Sequence, residues 1–244
     1  MRLDVYLTEN GIYKSRTRAQ QAIRSGCVSI RGKTELRPSA DINGDDTDHI
    51  SCLPDPLEYV GRGALKLDFA LEHFGIDVTG LDCVDVGAST GGFTQVLLKR
   101  SAGSVTAIDV GHGQLDELIS SDPRVVDLEG TDFRDFSPGK QFGFLSMDVS
   151  FISITMLKDK VSEVLKPGGN AVILFKPQFE VGRRHIGKGG IVRSVDAVKS
   201  AMSSAVSAYA TCGLSLIDQA ESPVKGGDGN TEYLLWFRRC DPAL

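Results

Sequence analysis

The sequence has no hydrophobic run that could cross a membrane. No apolar stretch among its 244 residues approaches the roughly 18 residues that a membrane-spanning helix needs. The first residues also lack the long apolar core of a signal peptide. Hydrophobic residues make up 41% of the chain and charged residues 24%, as in ordinary globular proteins. These features predict a soluble protein of the cytoplasm that has no membrane partner.

Cysteine is scarce and widely scattered, and the chain contains no Cys-x-x-Cys pair. An odd, dispersed set argues against a disulfide framework and against structural zinc, and a reducing compartment fits it best. We therefore expect no metal. The five cysteines are Cys27, Cys52, Cys83, Cys212 and Cys240.

Positive charge is in the minority, and it is concentrated at one end. The net charge of −5 taken alone argues against a nucleic-acid partner. Residues 1–40, however, contain eight Lys or Arg against three acids, so the rest of the chain is strongly acidic. Such asymmetry predicts a module for an anionic partner, attached to an acidic body.

The N-terminal segment has the pattern of a small α+β unit. Apolar residues over 3–7 suit a short helix, Ser15 can cap a second helix over 16–25, and residues 28–30 alternate like a strand. A solvated helix with a few arginines is the alternative. Arginines on a helix before a basic strand and turn favour a phosphate-binding surface. The arginines on the solvent side would be Arg16, Arg18 and Arg24.

Residues 41–56 are rich in Asp, Asn, Gly and Pro and predict a boundary between domains 1–56 and 57–244. Strands and helices alternate beyond it, which indicates an α/β fold with a mostly parallel sheet of seven strands. The last two strands are joined by a connection too short for a helix, so the final strand should be antiparallel. The predicted strands are 83–86, 105–109, 125–128, 144–148, 171–175, 214–220 and 233–237. The clearest predicted helices are 92–100, 154–165 and 195–211.

A glycine-rich loop follows the first strand of this sheet and begins a helix. Its small residues let a ligand approach the backbone, and free amides at a helix start can bind an anion. Serine at position 89 breaks the G-x-G-x-x-G pattern, and the loop instead fits the acidic-x-Gly-x-small-x-Gly shape used for S-adenosylmethionine. A purely structural strand–helix turn is the alternative. The candidate cofactor residues are Asp85, expected beside the cofactor's charged amino-acid end, and Gly87, Ala88, Ser89, Thr90, Gly91, Gly92 and Phe93.

The next two strands end in further candidate cofactor residues. Asp109, followed by Val110, can accept hydrogen bonds from both ribose hydroxyls. A nicotinamide enzyme would place an acid similarly, so Asp109 does not discriminate between the two cofactors. Asp132 is a candidate for the adenine amino group, although an acid after a strand is often only a helix cap.

Four charged residues lie near ends of predicted elements and should converge at the carboxyl edge of the sheet. They are Lys66, Asp148, Lys176 and Glu232. Two surface salt bridges are the plain alternative. A ribose hydroxyl is a poor nucleophile, and a lysine whose ammonium is disfavoured by a second lysine and by desolvation can act as its base. We expect Lys176 to be that base, Asp148 to orient it, and Lys66 and Glu232 to support the pair.

Methylation of a base would need other residues. Amino methylation commonly uses Asp or Asn followed by Pro-Pro-aromatic after the fourth strand, where this chain has D-V-S-F at residues 148–151. Carbon-5 methylation of a pyrimidine needs a cysteine nucleophile, and no cysteine lies near either catalytic strand. The pattern therefore favours transfer to oxygen.

The motifs along nearly the whole chain resemble those of the TlyA, or hemolysin A-like, family, whose methyltransferase domain is similar to FtsJ. The N-terminal ones are R-L-D at 2–4, S-R-x-R-A-Q at 15–20 and G-x-V at 26–28. The others are G-A-S-T-G-G-F-T at 87–94, D-V-G at 109–111, Q-L at 114–115, D-V-S-F-I-S at 148–153, K-P-Q-F-E at 176–180, G-G-I-V-R at 189–193 and G-N-x-E at 229–232.

The resemblance implies a Rossmann-like class I methyltransferase with a small N-terminal RNA-binding domain. It implies transfer from S-adenosylmethionine to a ribose 2′-hydroxyl of ribosomal RNA, on a cytidine, with ribosomal RNA or ribosomal subunits as partner. Its Lys-Asp-Lys-Glu tetrad matches the four residues above. The arginines expected to bind RNA are Arg2, Arg16, Arg18, Arg24 and Arg62.

Two positions depart from the family pattern, and one loop carries a further hypothesis. Gly61 stands where the family usually has serine, which would loosen the segment that delivers Lys66, and Asp132 stands where it often has asparagine. Residues 179–193 are rich in glycine and basic residues, and they suit either a lid over RNA or an ordinary flexible loop.

Two other functions compete with this interpretation. One is a hemolysin or membrane-active protein, against which the missing signal peptide, the missing amphipathic segment and the acidic pI all argue. The other is a catalytically idle RNA-binding protein that keeps the cofactor fold, against which the intact tetrad argues. The oligomeric state is open.

Overall fold

The N-terminal part of the chain folds as two helices over a small antiparallel sheet. The computed structural model describes residues 1–54 and 58–240, so the predicted boundary between residues 56 and 57 lies outside the described residues. The helices are α1 (Leu3–Glu9) and α2 (Arg16–Arg24), and the strands are β1 (Val28–Ile30), β2 (Lys33–Thr34) and β3 (Ile50–Cys52) in the order β2-β1-β3. The Ser15 hydroxyl caps α2 as predicted, because it accepts a hydrogen bond from the backbone amide of Arg18.

The segment before the predicted boundary contains two regular elements that the sequence did not indicate. Helix α3 (Gly44–Thr47) forms one turn there, and β3 extends the small sheet. Asn43 accepts hydrogen bonds from the first helical amides while Asp46 accepts one from the Asn43 amide, which is a capping box. Residues that look like loop formers by composition thus stabilise a short helix.

The second part of the chain contains the predicted seven-stranded sheet. The strands are β4 (Asp82–Val86), β5 (Ser104–Asp109), β6 (Val125–Glu129), β7 (Phe142–Met147), β8 (Leu165–Phe175), β9 (Leu214–Glu221) and β10 (Tyr233–Arg239). Their order is β6-β5-β4-β7-β8-β10-β9. The first five are parallel, and β10 runs antiparallel to both β8 and β9, which confirms the predicted topology.

Helices cover both faces of this sheet. They are α4 (Ala64–His73), α5 (Gly92–Lys99), α6 (Glu117–Ser120), α7 (Lys158–Val164), α8 (Pro177–Glu180) and α9 (Val195–Ala210). One apolar cluster packs α7 and α9 against the sheet, and a second packs α4 and α5 against its other face. Each buried strand therefore contributes side chains to two cores, as expected of a parallel sheet.

The helix predicted over 154–165 is shorter and less regular than expected. A 3₁₀ turn occupies Ile154–Leu157, α7 ends at Val164, and β8 begins at once with Leu165, six residues before the predicted start. Pro167 explains the early change, because the residue before a proline is biased away from helical backbone angles and towards extended ones.

A third apolar cluster joins the N-terminal part of the chain to the part that contains the seven-stranded sheet. It contains the buried side chains of both N-terminal helices and continues onto Leu65 and Val224. Leu65 is only 1% exposed and directly precedes Lys66. The packing of the small domain therefore reaches the segment that carries one of the four predicted catalytic residues.

Candidate active site

The four predicted catalytic residues meet at one edge of the large sheet. Lys66 lies in the first turn of α4, and Glu232 directly precedes β10. Asp148 and Lys176 directly follow β7 and β8. Because β10 is antiparallel to β8, its start lies beside the end of β8. The strand order, together with the position of α4, thus brings residues together that are up to 166 positions apart in sequence.

The tetrad forms a chain of alternating charges. The Lys66 ammonium lies 2.5 Å from Glu232 Oε2 and 4.0 Å from Asp148 Oδ2. The Lys176 ammonium lies 2.5 Å from Asp148 Oδ1 and donates a hydrogen bond of 2.9 Å to the Ser150 hydroxyl. Two positive and two negative groups therefore neutralise one another, and Asp148 lies between the two lysines.

The burial of the tetrad rules out the alternative of two surface salt bridges. Lys66 is 7% exposed, Lys176 is 8% exposed and Glu232 is 2% exposed. Behind Glu232, Gly226 leaves the necessary space, since a Cβ atom there would lie 2.4 Å from Glu232 Oε1. Burying three charges beside the half-buried Asp148 is expensive unless each is paired, so the arrangement indicates a built site.

A cavity of about 450 Å³ opens beside the tetrad, and Asp148 lines it. Its other polar groups come from the ends of β4 and β5 and from the segment after β6, and apolar side chains form the walls. Three carboxylates and one guanidinium line it, so the cavity favours a cation. Among the predicted cofactor residues, those that line it are Gly87, Ser89, Asp109, Val110 and Asp132.

The rest of the glycine-rich loop shapes the turn without lining the cavity; these residues are Ala88, Thr90, Gly91, Gly92 and Phe93. Gly87 has a φ of +79°, and a Cβ there would lie 2.4 Å from the Asp148 carbonyl oxygen. At Gly91, which precedes α5 with a φ of +91°, a Cβ would lie 2.8 Å from Leu115. The loop therefore needs glycine at these two positions for close packing within the protein.

Asp85 does not face the cavity, contrary to the prediction from its motif. Its side chain is fully buried, and its two oxygens accept hydrogen bonds from the Ser146 hydroxyl at 2.8 Å and the Thr94 hydroxyl at 2.7 Å. Burial raises the pKa of Asp85 to about 6. The carboxyl group thus ties β4 to β7 and α5, and its effect on any ligand passes through the loop that follows it.

Asp109 and Asp132 are held at the cavity edge by local contacts. The Asp109 oxygens accept hydrogen bonds from the backbone amides of Ser89 and Gly111, both at 2.8 Å. The Arg134 guanidinium, 2.5 Å away, holds the pKa of the Asp132 carboxyl below its usual value. Each carboxylate oxygen accepts more than one hydrogen bond, so Asp109 keeps acceptor capacity towards a ligand.

Several residues of the cavity were missed by reasoning from the sequence. Arg134 pairs with Asp132, and the missed residues also include the apolar walls Phe133, Val149, Ile152 and Leu157. An apolar wall has no chemical signature in a sequence, because any buried side chain of suitable size can serve. Only the position of Val149 and Ile152 beside Asp148 could have indicated them.

The arginines predicted to bind RNA fall into two groups. Arg2 and Arg16 both donate hydrogen bonds of 3.0 Å to Asp4, a fully buried carboxylate that also accepts one from Gln20. The Arg2 guanidinium holds the pKa of Asp4 well below its usual range. Of the other three arginines, Arg24 on α2 and Arg62 shortly before α4 are exposed, and Arg18 on α2 is half-buried. Arg62 donates a hydrogen bond of 3.5 Å to the Lys225 carbonyl.

Comparison with known proteins identifies the families of both parts of the chain. Residues 59–239 match the model of the FtsJ-like methyltransferase family, and residues 1–48 match the S4 domain. The 16S/23S rRNA (cytidine-2′-O)-methyltransferase TlyA of Mycobacterium tuberculosis is 38% identical over 248 residues, which cover 100% of this chain and 92% of the relative. Hemolysin A of Brachyspira hyodysenteriae is 39% identical, with 97% and 99% covered.

A solved structure is also similar to this chain. A protein from Streptococcus thermophilus that bears the name hemolysin superposes with a TM-score of 0.74 at 35% identity, covering 99% of this chain and 89% of that chain. The sheet order and these matches agree. The chain belongs to the FtsJ-like methyltransferases and, within them, to the TlyA (hemolysin A-like) family.

Proposed function

We propose that this protein transfers a methyl group from S-adenosylmethionine to a ribose 2′-hydroxyl of ribosomal RNA, on a cytidine. The observation that carries the proposal is that Asp148 belongs to both the acidic cavity and the tetrad. Its carboxylate lines the acidic cavity and pairs at 2.5 Å with the buried Lys176. A cofactor in the cavity and a hydroxyl beside Lys176 would therefore meet at one residue. The cytidine comes from the activity named for the M. tuberculosis relative.

The residues of the cavity fit S-adenosylmethionine. A volume of about 450 Å³ is in the range of cofactor sites. Asp109 can accept hydrogen bonds from the ribose hydroxyls, Asp132 can accept one from the adenine amino group, and Phe133 and Ile152 offer apolar surface to the adenine. The excess of carboxylates suits the positive sulfonium and ammonium groups. When bound, this cofactor supplies an activated methyl group, so no covalent enzyme intermediate is needed.

The tetrad supplies the acid–base chemistry. Lys176 Nζ, after its ammonium has given a proton to solvent, accepts the proton of the attacking 2′-hydroxyl, and Asp148 stabilises the ammonium that results. Lys66, held by Glu232, lies 4.0 Å from the other oxygen of Asp148 and restrains that carboxylate. The lysine then releases its proton to solvent. Alignment of the hydroxyl oxygen supplies the remaining acceleration, because the reaction needs no other chemistry from the protein.

The surfaces around the tetrad suit RNA. Phe151 is 92% exposed, has a φ of +66° and lies at the rim of the cavity with Phe179 at 5.3 Å between ring centroids. An exposed aromatic ring held in this way can stack on an unpaired base. The arginines of the N-terminal domain would contact phosphates further along the RNA.

The identity of the methylated atom tests the proposal. Purified protein, labelled S-adenosylmethionine and ribosomal subunits from a strain that lacks this enzyme would be incubated together, and the RNA digested to nucleosides. We expect the label on a 2′-O-methylcytidine. Label on a base would refute transfer to the ribose, and no label on free RNA or on either subunit would favour the idle RNA-binding protein.

A membrane-active function remains the other candidate because a relative is named hemolysin A. Within residues 1–54 and 58–240, no helix has the length and apolar character needed to cross a membrane. A haemolysis assay separates the two functions. Lysis that persists in the Lys176→Ala variant would be independent of the tetrad, and absence of lysis by an active enzyme would exclude pore formation.

A further inference from the structure

A second cavity, of about 270 Å³, lies next to the tetrad. Pro177, which follows Lys176, and Tyr233, which follows Glu232, both line it, together with the start of α9. The sheet order places the cofactor cavity over β5, β4 and β7 and this second cavity beside β8 and β10. The tetrad lies between the two. An RNA strand whose target ribose reaches Lys176 would therefore continue past the second cavity.

The charge of the second cavity is opposite to that of the cofactor cavity. Its charged lining residues are Arg193 and Lys225, and no carboxylate lines it. Both side chains are exposed, and neither has an ion-pair partner among the described residues. Arg62 adds a third cation nearby through its hydrogen bond to the Lys225 carbonyl. In a protein of net charge −5, unpaired cations gathered beside an active site indicate an anionic ligand.

The wall of the second cavity is held in place by a buried side chain. Asn230 is only 3% exposed, its amide group donates to the Gly190 carbonyl at 2.9 Å, and its oxygen accepts from the Val192 amide at 2.9 Å. These two bonds fix the loop that presents Ile191 and Val192 to the cavity. The site thus combines a fixed apolar wall, the ring of Tyr233 and two cations.

We propose that the second cavity binds one nucleotide of the RNA next to the methylated one. Arg193 and Lys225 would bind its phosphate, and Ile191, Val192 and Tyr233 would contact its ribose and base. The proposal rests on the proposed function for its substrate. The binding of a nucleoside monophosphate outside the cofactor cavity does not itself depend on methyl transfer.

The binding site is tested directly by nuclear magnetic resonance on the full chain. Methyl groups of Ile191, Val192, Val195 and Val198, which line only the second cavity, would be followed during titration with cytidine 5′-monophosphate. We expect saturable shifts at these methyl groups, lost in the double variant Arg193→Ala, Lys225→Ala. Absence of shifts, shifts that persist in the double variant, or equal shifts with inorganic phosphate alone would each overturn the proposal.

The contribution to catalysis is tested by steady-state kinetics with ribosomal subunits. The double variant should raise KM for the RNA substrate roughly tenfold, as expected when charge-assisted hydrogen bonds to a phosphate are lost, and change kcat less than twofold. Lys199→Ala is the matched control, because Lys199 is an exposed cation on α9 that does not line the cavity. An equal change in KM for the control and the double variant would show a general charge effect and overturn the subsite.

The two experiments separate this proposal from the proposed function. If the wild-type protein methylates no ribosomal RNA, the proposed function fails, and the titration still decides whether the cavity binds a nucleotide. If methyl transfer is observed and the methyl groups of the cavity do not respond to the nucleotide, only the subsite is wrong.

Discussion

The tetrad shows at the scale of single residues why a buried ionic site is kept in a fold. Glu232 and Lys66 are almost fully buried, and each is compensated mainly by the other at 2.5 Å. Buried ion pairs add little net stability, because the loss of hydration offsets their attraction. Removing one partner, by contrast, leaves a buried charge without compensation. We infer that the pair is retained for catalysis rather than for folding.

This view predicts the effect of Lys66→Met on stability. The variant should lose about 3 kcal/mol of unfolding free energy in urea, because Glu232 would be left as an unpaired buried charge. Adding Glu232→Gln should restore most of the loss while methyl transfer stays low. If the double variant is as unstable as the single one, the lost stability comes from packing of the lysine chain and not from charge.

Asp85 gives a prediction about pH. Its pKa of about 6 lies above the value near 3.9 of an unfolded chain, so the folded protein binds its proton more tightly. The stability that this group contributes is complete below about pH 4 and is lost as the pH rises to about 6. Relative to the wild type, Asp85→Asn should therefore gain about 3 kcal/mol of unfolding free energy between pH 4 and pH 6 and then level off.

Urea unfolding of both proteins at several pH values measures this difference. A difference that stays constant from pH 4 to pH 8 would contradict a buried carboxyl group of raised pKa.

Residue-scale reasoning from the sequence found the tetrad because charge at strand ends is visible in the pattern. It misplaced Asp85 because the direction of that side chain depends on hydroxyl groups of α5 and β7, which lie elsewhere in the sequence.

At the scale of elements, the turn between β4 and α5 positions the reaction site. The Gly87 backbone lies so close to the Asp148 carbonyl that no side chain fits between them. The glycine-rich loop and the loop that carries the Asp148 carboxylate are therefore packed directly against each other. A change in either loop should move the other.

Gly87→Ala should accordingly reduce activity by more than its effect on stability would explain. Its Cβ would meet the Asp148 carbonyl and displace Asp148, so we expect at least a tenfold loss of kcat/KM and weaker cofactor binding. Gly80→Ala is the matched control. Gly80 has a similar φ of +70°, and its Cβ would meet nothing within 4 Å, so it bears only the backbone strain. Equal kinetic losses in both variants would contradict the contact argument.

The elements themselves were largely predictable from the sequence. Six of the seven strands of the large sheet begin within two residues of the predicted start, because runs of apolar and β-branched residues bounded by turn residues mark where strands lie. The early start of β8 was not predictable, since Leu165–Asn170 is polar and glycine-rich and pairs only through a register shift against β7. Helix α3 was missed because its capping residues also form turns.

At the scale of the whole molecule, a basic RNA-binding domain is packed against an acidic catalytic domain. The contact passes through Leu65 and Val224, next to Lys66 and Lys225. The charge asymmetry was visible in the sequence. The contact was not, because it depends on how two separate hydrophobic cores meet.

Asp4 gives a prediction about RNA binding by the whole molecule. Removing its charge should strengthen RNA binding if only long-range attraction counts. Because Asp4 holds Arg2 and Arg16 in place, we expect Asp4→Asn instead to weaken RNA binding several-fold. Glu9→Gln, an exposed position at the end of α1, is the control that removes the same charge. Tighter binding by Asp4→Asn would show that Asp4 does not organise the arginines predicted to bind RNA.

The measurement that tests the account most directly compares wild type and Lys176→Ala for both methyl transfer and cofactor binding. The account predicts that kcat falls at least a hundredfold, the usual contribution of a general base, while calorimetry shows S-adenosylmethionine bound with nearly unchanged affinity, since Lys176 does not line the cofactor cavity. Lys166→Ala, at the other end of β8 and exposed, should be fully active. A Lys176→Ala enzyme that binds the cofactor and methylates ribose at the wild-type rate would contradict the central claim.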